Sequence, residues 1–121
     1  MASSHDMRSN MLPLNENNYA TWKVQCKMAL MREGLWPIVN KEEFIPEIDD
    51  ARRRESEEAR RKFKIRYEKA LTTIVLSVSP SLLYLLGEPE DPVKVWETLE
   101  NQFQKKSWAN KLILKTKLSR M

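Results

Sequence analysis

The chain has 121 residues and a formal net charge of +4, with 21 Lys+Arg against 17 Asp+Glu. Its length fits one domain, and its 41% hydrophobic residues are enough to bury a core. A single Cys and a single His argue against a disulfide framework, a multi-cysteine zinc site and a Ser-His-Asp or Cys-His catalytic site. Two Gly are too few for a glycine-rich phosphate loop. The composition therefore predicts that the chain is not an enzyme and has no metal or cofactor site.

The amino-terminal sequence MASSHDMRSNMLPL contains no apolar run of the length that a secretory signal requires. No segment approaches the roughly 18 consecutive apolar residues of a membrane-spanning helix. Because the lone Cys26 also suits a reducing compartment, we expect a cytoplasmic location, with the nucleus left open.

The charge is divided into blocks of alternating sign. Residues 1–50 carry 5 basic and 8 acidic groups, and residues 51–70 carry 9 basic and 4 acidic groups. Residues 71–104 carry 1 basic and 5 acidic groups, whereas residues 105–121 carry 6 basic groups and no acidic one. Blocks of this kind usually form solvated helix faces, but the last block could also bind an anionic partner such as nucleic acid.

The first predicted helix follows residues 1–13, which we expect to be a flexible tail. Asn17 or Asn18 can cap it, and Gly34 can end it because glycine tolerates a left-handed backbone. Its apolar residues recur at steps of three and four and predict one buried face: Tyr19, Trp22, Cys26, Ala29 and Leu30. Residues 35–39 then predict an apolar connector, and residues 40–48 predict an irregular acidic segment.

A long helix is predicted over about residues 51–78, with Asp49 or Asp50 as its cap. Its second half is apolar, so the helix should begin in solvent and end in the core. Its first half is almost entirely charged and places opposite charges at the i,i+4 spacing that allows ion pairs: Glu57 with Arg61, and Glu58 with Lys62.

Three shorter helices complete the predicted fold. Ser79-Pro80 begins one that Gly87 ends, and Asp91-Pro92 begins the next. That helix has an apolar face formed by Val95, Trp96, Leu99 and Phe103. Ser107 can cap a last helix with Trp108, Leu112 and Leu118 on one side. We therefore expect an all-α fold, a compact bundle of about five helices with a long charged helix in the middle.

Few residues suggest catalytic chemistry. Cys26 lies on an apolar helix face, which predicts a small buried hydrophobe. The acidic pairs Glu42-Glu43 and Asp49-Asp50 occur in a segment that should be exposed, which does not suit general acid/base catalysis or a calcium loop.

Two sets of residues are candidates for contacts with other molecules. Leu35 and Trp36 in the apolar connector, and Trp108 beside two lysines, are candidates for self-association. Six basic residues without interleaved acids are candidates for nonspecific, salt-sensitive contact with nucleic acid: Lys105, Lys106, Lys111, Lys115, Lys117 and Arg120. The basic residues of segment 52–66 alternate with glutamates, so they form no continuous basic surface for binding phosphate.

The ordered series of these motifs resembles the gag polypeptide of copia-type LTR retrotransposons over roughly residues 12–121. The opening of that family is typically L-x-G-x-N-Y-x-x-W-x-x-x-M followed by a tryptophan-valine turn. This sequence resembles that opening through Leu14, Asn17, Tyr19, Trp22, Met28, Leu30 and 35–39, although Glu16 stands at the usual glycine and Cys26 at the position of the methionine. Later segments resemble the family's alanine/isoleucine, W-x-x-L-x-x-x-F and L-x-L-x-x-x-L helices: 70–79, Val95 to Leu99 with Gln102-Phe103, and 106–112 with Leu114 and Leu118.

The resemblance implies a helical capsid amino-terminal domain over residues 14–121, with the carboxy-terminal part of the capsid region absent. It marks eight positions as core or family-motif residues: Tyr19, Trp22, Leu30, Trp96, Leu99, Phe103, Leu112 and Leu118. The implied function is a structural one, in which copies associate into a shell around RNA in virus-like particles. The family's downstream enzymes and zinc knuckle have no counterpart in these residues.

Two other functions stay open at this point. One is an RNA-binding module that uses the basic residues 105–121. The other is a gag-derived regulatory fragment that co-assembles with full-length copies and blocks the formation of their shell. The sequence ends inside an amphipathic pattern, and this suits such a fragment. The partners expected are copies of the chain itself and RNA, with neither a membrane nor a small-molecule substrate. The sequence does not distinguish an active element from a domesticated one.

Overall fold

A computed structural model describes residues 11–104 and confirms the all-α class for this part of the chain. Four α-helices follow in order: α1 (Tyr19–Arg32), α2 (Trp36–Val39), α3 (Arg53–Leu76) and α4, which spans 92–104 of the described residues. Two 3-10 segments, Asp50–Arg52 and Pro80–Leu86, precede and follow α3. The predicted last helix from Ser107 lies outside the described residues.

Helix α1 buries the face that the sequence predicts, with Tyr19, Trp22, Cys26 and Leu30 turned inward. Asn18 occupies the N-cap position, but its side chain stabilises the preceding turn instead of the helix end. Its Nδ2 donates to the Pro13 carbonyl at 2.9 Å, and its Oδ1 accepts from the Asn15 backbone at 2.8 Å.

The predicted connector 35–39 contains a short helix. Helix α2 forms there because Pro37 falls in its first turn, where the missing N–H leaves no helical hydrogen bond unmade. Gly34 has φ of +71°, and this left-handed residue separates α1 from α2. The segment turns Leu35, Ile38 and Val39 into the core.

Helix α3 begins and ends slightly inside its predicted range. The Asp49 carboxylate accepts from the Ala51 backbone at 3.0 Å, which caps the 3-10 segment that leads into the helix. Downstream, Phe63, Ala70 and Ile74 are its buried residues. The helix stops at Leu76 instead of residue 78.

The two ion pairs predicted in the first half of α3 are wrong. Glu57 accepts from Arg53 Nε at 3.1 Å, and Glu58 pairs with Arg61. All these side chains are exposed, and alternative surface pairs at three- and four-residue spacing differ little in free energy. The helix therefore forms equally well with these pairs as with the predicted ones.

The segment after α3 confirms the predicted breaks. The short helix predicted after Ser79 is a 3-10 segment, and Gly87 follows it with φ of +60°. The Asp91 carboxylate accepts from the Val93 backbone at 2.9 Å and so caps α4.

Helix α1 is antiparallel to both α3 and α4. Its first turns lie near the end of α3, where Trp22 Nε1 donates to the Ser77 carbonyl at 2.9 Å. The Tyr19 and Phe103 rings stack with centroids 5.8 Å apart, and Trp22 stacks on Trp96 at 5.7 Å. An isolated parallel bridge between Leu14 and Val78 adds the segment before α1 to this core, and among the described residues it is the only β-type pairing.

Replacing Trp22 by alanine should lower the free energy of unfolding by about 3–5 kcal/mol, since it removes a buried aromatic ring and leaves a cavity. Urea unfolding followed by circular dichroism measures this change. Tyr84→Ala is the control: that ring is 76% exposed, so the loss should stay within about 0.5 kcal/mol. Equal losses in the two variants would contradict the packing described above.

Candidate assembly surfaces

Six of the eight family-motif positions lie in one buried cluster. They come from α1 and α4, whose aromatic rings stack on each other at Tyr19–Phe103 and Trp22–Trp96: Tyr19, Trp22, Leu30, Trp96, Leu99 and Phe103. Burial raises the pKa of the Tyr19 hydroxyl well above its usual range, and the nearby Glu100 carboxylate adds to the rise. The other two positions, Leu112 and Leu118, lie outside the described residues.

Cys26 is a core residue, as its place on the apolar face of α1 predicts. Its side chain is 0% exposed, and its sulfur lies 3.7 Å from the Ser77 hydroxyl. Burial raises the pKa of the thiol to about 11, so the thiol stays protonated at neutral pH. The only His, at position 5, lies outside the described residues.

The self-association candidates separate into different environments. Leu35 is 1% exposed within a single chain, so its side chain has no surface to offer a second copy, and that prediction is wrong for Leu35. Trp36 is half-buried and packs edge-on against Trp96 at 5.3 Å, with Lys27 Nζ 5.1 Å above its ring. It stays a candidate. Trp108 lies outside the described residues.

The acidic segment 42–50 serves as a structural strap along α3. Arg66 binds both Glu43 oxygens, at 2.5 and 2.9 Å, and Arg60 donates to the Pro46 carbonyl at 2.8 Å. The Arg66 hydrogen bonds hold the pKa of the Glu43 carboxyl below its usual range. Among residues 11–104, no three His, Cys, Asp or Glu side chains are grouped as a metal would require.

Segment 42–50 also exposes apolar side chains to solvent. Phe44 is 70% exposed beside a groove of about 520 Å³ whose walls include Ile45, Phe63 and Tyr67. Burial and the neighbouring carboxylates of Asp91 and Glu90 raise the pKa of Tyr67 to about 12.

A second apolar surface lies on the outer side of α1. Val24 is 59% exposed and Met28 is 50% exposed, and both line a groove of about 630 Å³ between α1 and α3. Leu76, 77% exposed, forms part of the opposite wall. The Glu33–Lys69 ion pair, at 3.1 Å, lies at one end of the groove.

The sequence interpretation missed this second surface because it assigned a single apolar face to α1. The signal was present in the spacing of Val24 and Met28, which are four residues apart and lie opposite the buried face. Apolar residues on both sides of a helix indicate either full burial or an unoccupied contact surface.

The basic groups of α3 are interleaved with acids, as predicted. Arg53 binds both Asp50, at 3.0 Å, and Glu57, and Arg61 pairs with Glu58. The six basic residues from Lys105 to Arg120, which no acidic residue separates, lie outside the described residues. No α-helix within residues 11–104 is long and apolar enough to span a membrane.

These features define a helical structural domain with exposed apolar surfaces. The sequence model of the family described as gag-polypeptide of LTR copia-type matches residues 26–121. The match covers most of the chain, and the chain belongs to this family, whose members are structural, non-enzymatic polypeptides of retrotransposons. Searches of curated proteins and of solved structures returned no match.

The Glu43–Arg66 pair should make stability depend on acid pH. Because the pKa of Glu43 is lowered in the folded chain, its contribution is complete above the ordinary Glu pKa of about 4.3 and is lost as pH falls through the lower folded value. Urea unfolding should show Glu43→Gln less stable than the parent by less than about 1 kcal/mol at pH 7, with the difference fading near pH 3. Glu42→Gln is the control, and an equal, pH-independent deficit for Glu43→Gln would contradict the role of the pair.

The buried thiol should be protected from modification. We expect a disulfide reagent at pH 8 to label Cys26 at least about 100-fold more slowly in the folded chain than in urea, because both burial and the raised pKa suppress the thiolate. Labelling at equal rates in the two conditions would show that the end of α3 does not cover Cys26.

Proposed function

We propose that this chain is a structural Gag segment that associates with copies of itself into a shell around RNA. The observation that carries the proposal is the family match over residues 26–121. The exposed apolar surfaces beside Phe44 and along α1 support it, because contiguous exposed apolar side chains are a feature of protein–protein contact sites.

Assembly contacts of this kind can be individually weak. A shell repeats each contact many times, and multivalency raises the overall stability without any new contact. Small apolar patches on a stable core therefore suffice. The core itself takes no part in binding, since Trp22, Leu30 and Leu99 are almost completely buried.

RNA is the second proposed partner. The six basic residues of 105–121 have no acidic neighbours in sequence, and phosphate contacts by Lys and Arg release counterions and therefore depend strongly on salt. Such contacts carry no base specificity. For an active element, we propose that the assembled protein lies in cytoplasmic virus-like particles.

The test is sedimentation velocity across a concentration series, with and without single-stranded RNA, at several salt concentrations. We expect concentration-dependent oligomers and RNA affinity whose logarithm falls linearly with the logarithm of salt, with a slope of about −0.7 per neutralised phosphate. A monomer at all concentrations, with or without RNA, would reject the proposed function.

A pair of charge variants tests the RNA contact. Lys111→Gln/Lys115→Gln should reduce the steepness of the salt dependence by about one to two phosphate equivalents. Arg53→Gln/Arg61→Gln is the matched control, because both of those arginines are already paired with glutamates and should change the slope less. The opposite order of effects would place RNA on α3.

A further inference from the structure

The exposed side of α1 contains a continuous ridge of side chains. Ala20, Val24, Met28 and Arg32 are four residues apart, and the structure exposes every one of them. Rows at this spacing are the ridges by which α-helices pack against each other. The opposite side of α1 is fixed in the core, so the ridge is held rigidly and needs no ordering before it binds.

The ridge is apolar in its middle, ends in a basic residue on one side and follows an acidic residue on the other. Arg32 forms its carboxy-terminal end, and the exposed Glu16 lies in the turn just before the amino-terminal end of α1. Among residues 11–104 neither side chain has an ion-pair partner, whereas Glu33 beside Arg32 is paired with Lys69.

This pattern is complementary to itself in the antiparallel direction. If two copies of α1 cross at Val24, a two-fold axis places Met28 beside Ala20 of a second copy, a large side chain beside a small one. The same operation brings Arg32 to the amino-terminal end of α1 in a second copy, where Glu16 lies in the preceding turn, twice per dimer. A self-complementary surface of this kind gives a closed two-fold contact.

We propose that the α1 ridge is an interface between two copies of this chain, packed antiparallel about Val24, with reciprocal Arg32–Glu16 ion pairs. The groove between α1 and α3 adds apolar surface next to the ridge, including the exposed Leu76. The inference names one contact surface of the assembly and so rests on the proposed function.

Cross-linking tests the geometry directly. Val24→Cys places two thiols at the crossing point, so mild oxidation of the full chain should give mostly disulfide-linked dimer. Asn101→Cys is the matched control on the exposed side of α4 and should give at least about tenfold less dimer, since random collision alone joins it. The native Cys26 is buried and adds no background.

Charge reversal tests the pairing. Arg32→Glu and Glu16→Arg should each raise the dimer Kd by about five- to tenfold, because each places like charges together at both ends of the interface. The double variant Glu16→Arg/Arg32→Glu should restore the Kd to within about twofold of the parent. Restoration is specific to the reciprocal pair, because two independent surface effects would add instead.

The outcomes separate this inference from the proposed function. If the parent chain associates but Val24→Cys cross-links no better than Asn101→Cys, or the double variant fails to recover, another surface mediates association and the inference is overturned. If Val24→Asp leaves the parent's association constant unchanged, the ridge takes no part in association and the inference again fails. A parent chain that stays monomeric would reject the proposed function itself.

Discussion

The rest of the described fold depends on the hydrogen bonds that the backbone carbonyl of Ser77 accepts. It accepts hydrogen bonds from the Leu14 backbone at 2.8 Å and from the Trp22 indole at 2.9 Å, and these use both of its lone pairs. The Ser79 backbone donates in return to the Leu14 carbonyl at 3.1 Å. One residue at the end of α3 thereby ties together the segment before α1, α1 itself and the chain that leads to α4.

This junction explains why α3 stops two residues earlier than its apolar pattern predicts. Continuing the helix would direct the Ser77 carbonyl along the α3 axis, away from Trp22. The backbone instead leaves the helix after Leu76, and Val78 pairs with Leu14. The indole N–H of a buried Trp must find an acceptor, and the end of a helix supplies carbonyls that have no partner within the helix.

The sequence allowed α1, α3 and α4, their buried faces and most of their breaks to be predicted, because each depends on local periodicity or on one capping residue. Gly34, Gly87 and Asp91 act as their chemistry predicts. Features that depend on distant residues could not be predicted in this way. The Arg66–Glu43 contact joins residues 23 apart, and Leu35 is buried in a core cluster to which α1, α3 and α4 all contribute.

The candidate surfaces were harder to predict than the core for a related reason. A buried position is recognised by its periodicity, but an exposed apolar residue such as Val24 or Phe44 has no pattern of its own until the fold shows which sides of the helices are already covered. Once α1 is fixed between α3 and α4, its outer ridge is what remains. The same reasoning corrects Leu35: an irregular position in sequence does not make a residue available to a partner.

The distribution of charge then links the two proposed partners. Residues 1–104 carry a net charge of −2 against +6 for residues 105–121, which together give the total of +4. Copies that associate through the nearly neutral helical part would bring their basic segments together, and the repulsion between those segments opposes association. RNA phosphates would remove that repulsion, so under the proposed function binding of RNA and association of copies each favour the other. Their coupling follows from the charge pattern alone and requires no conformational change in the helical domain.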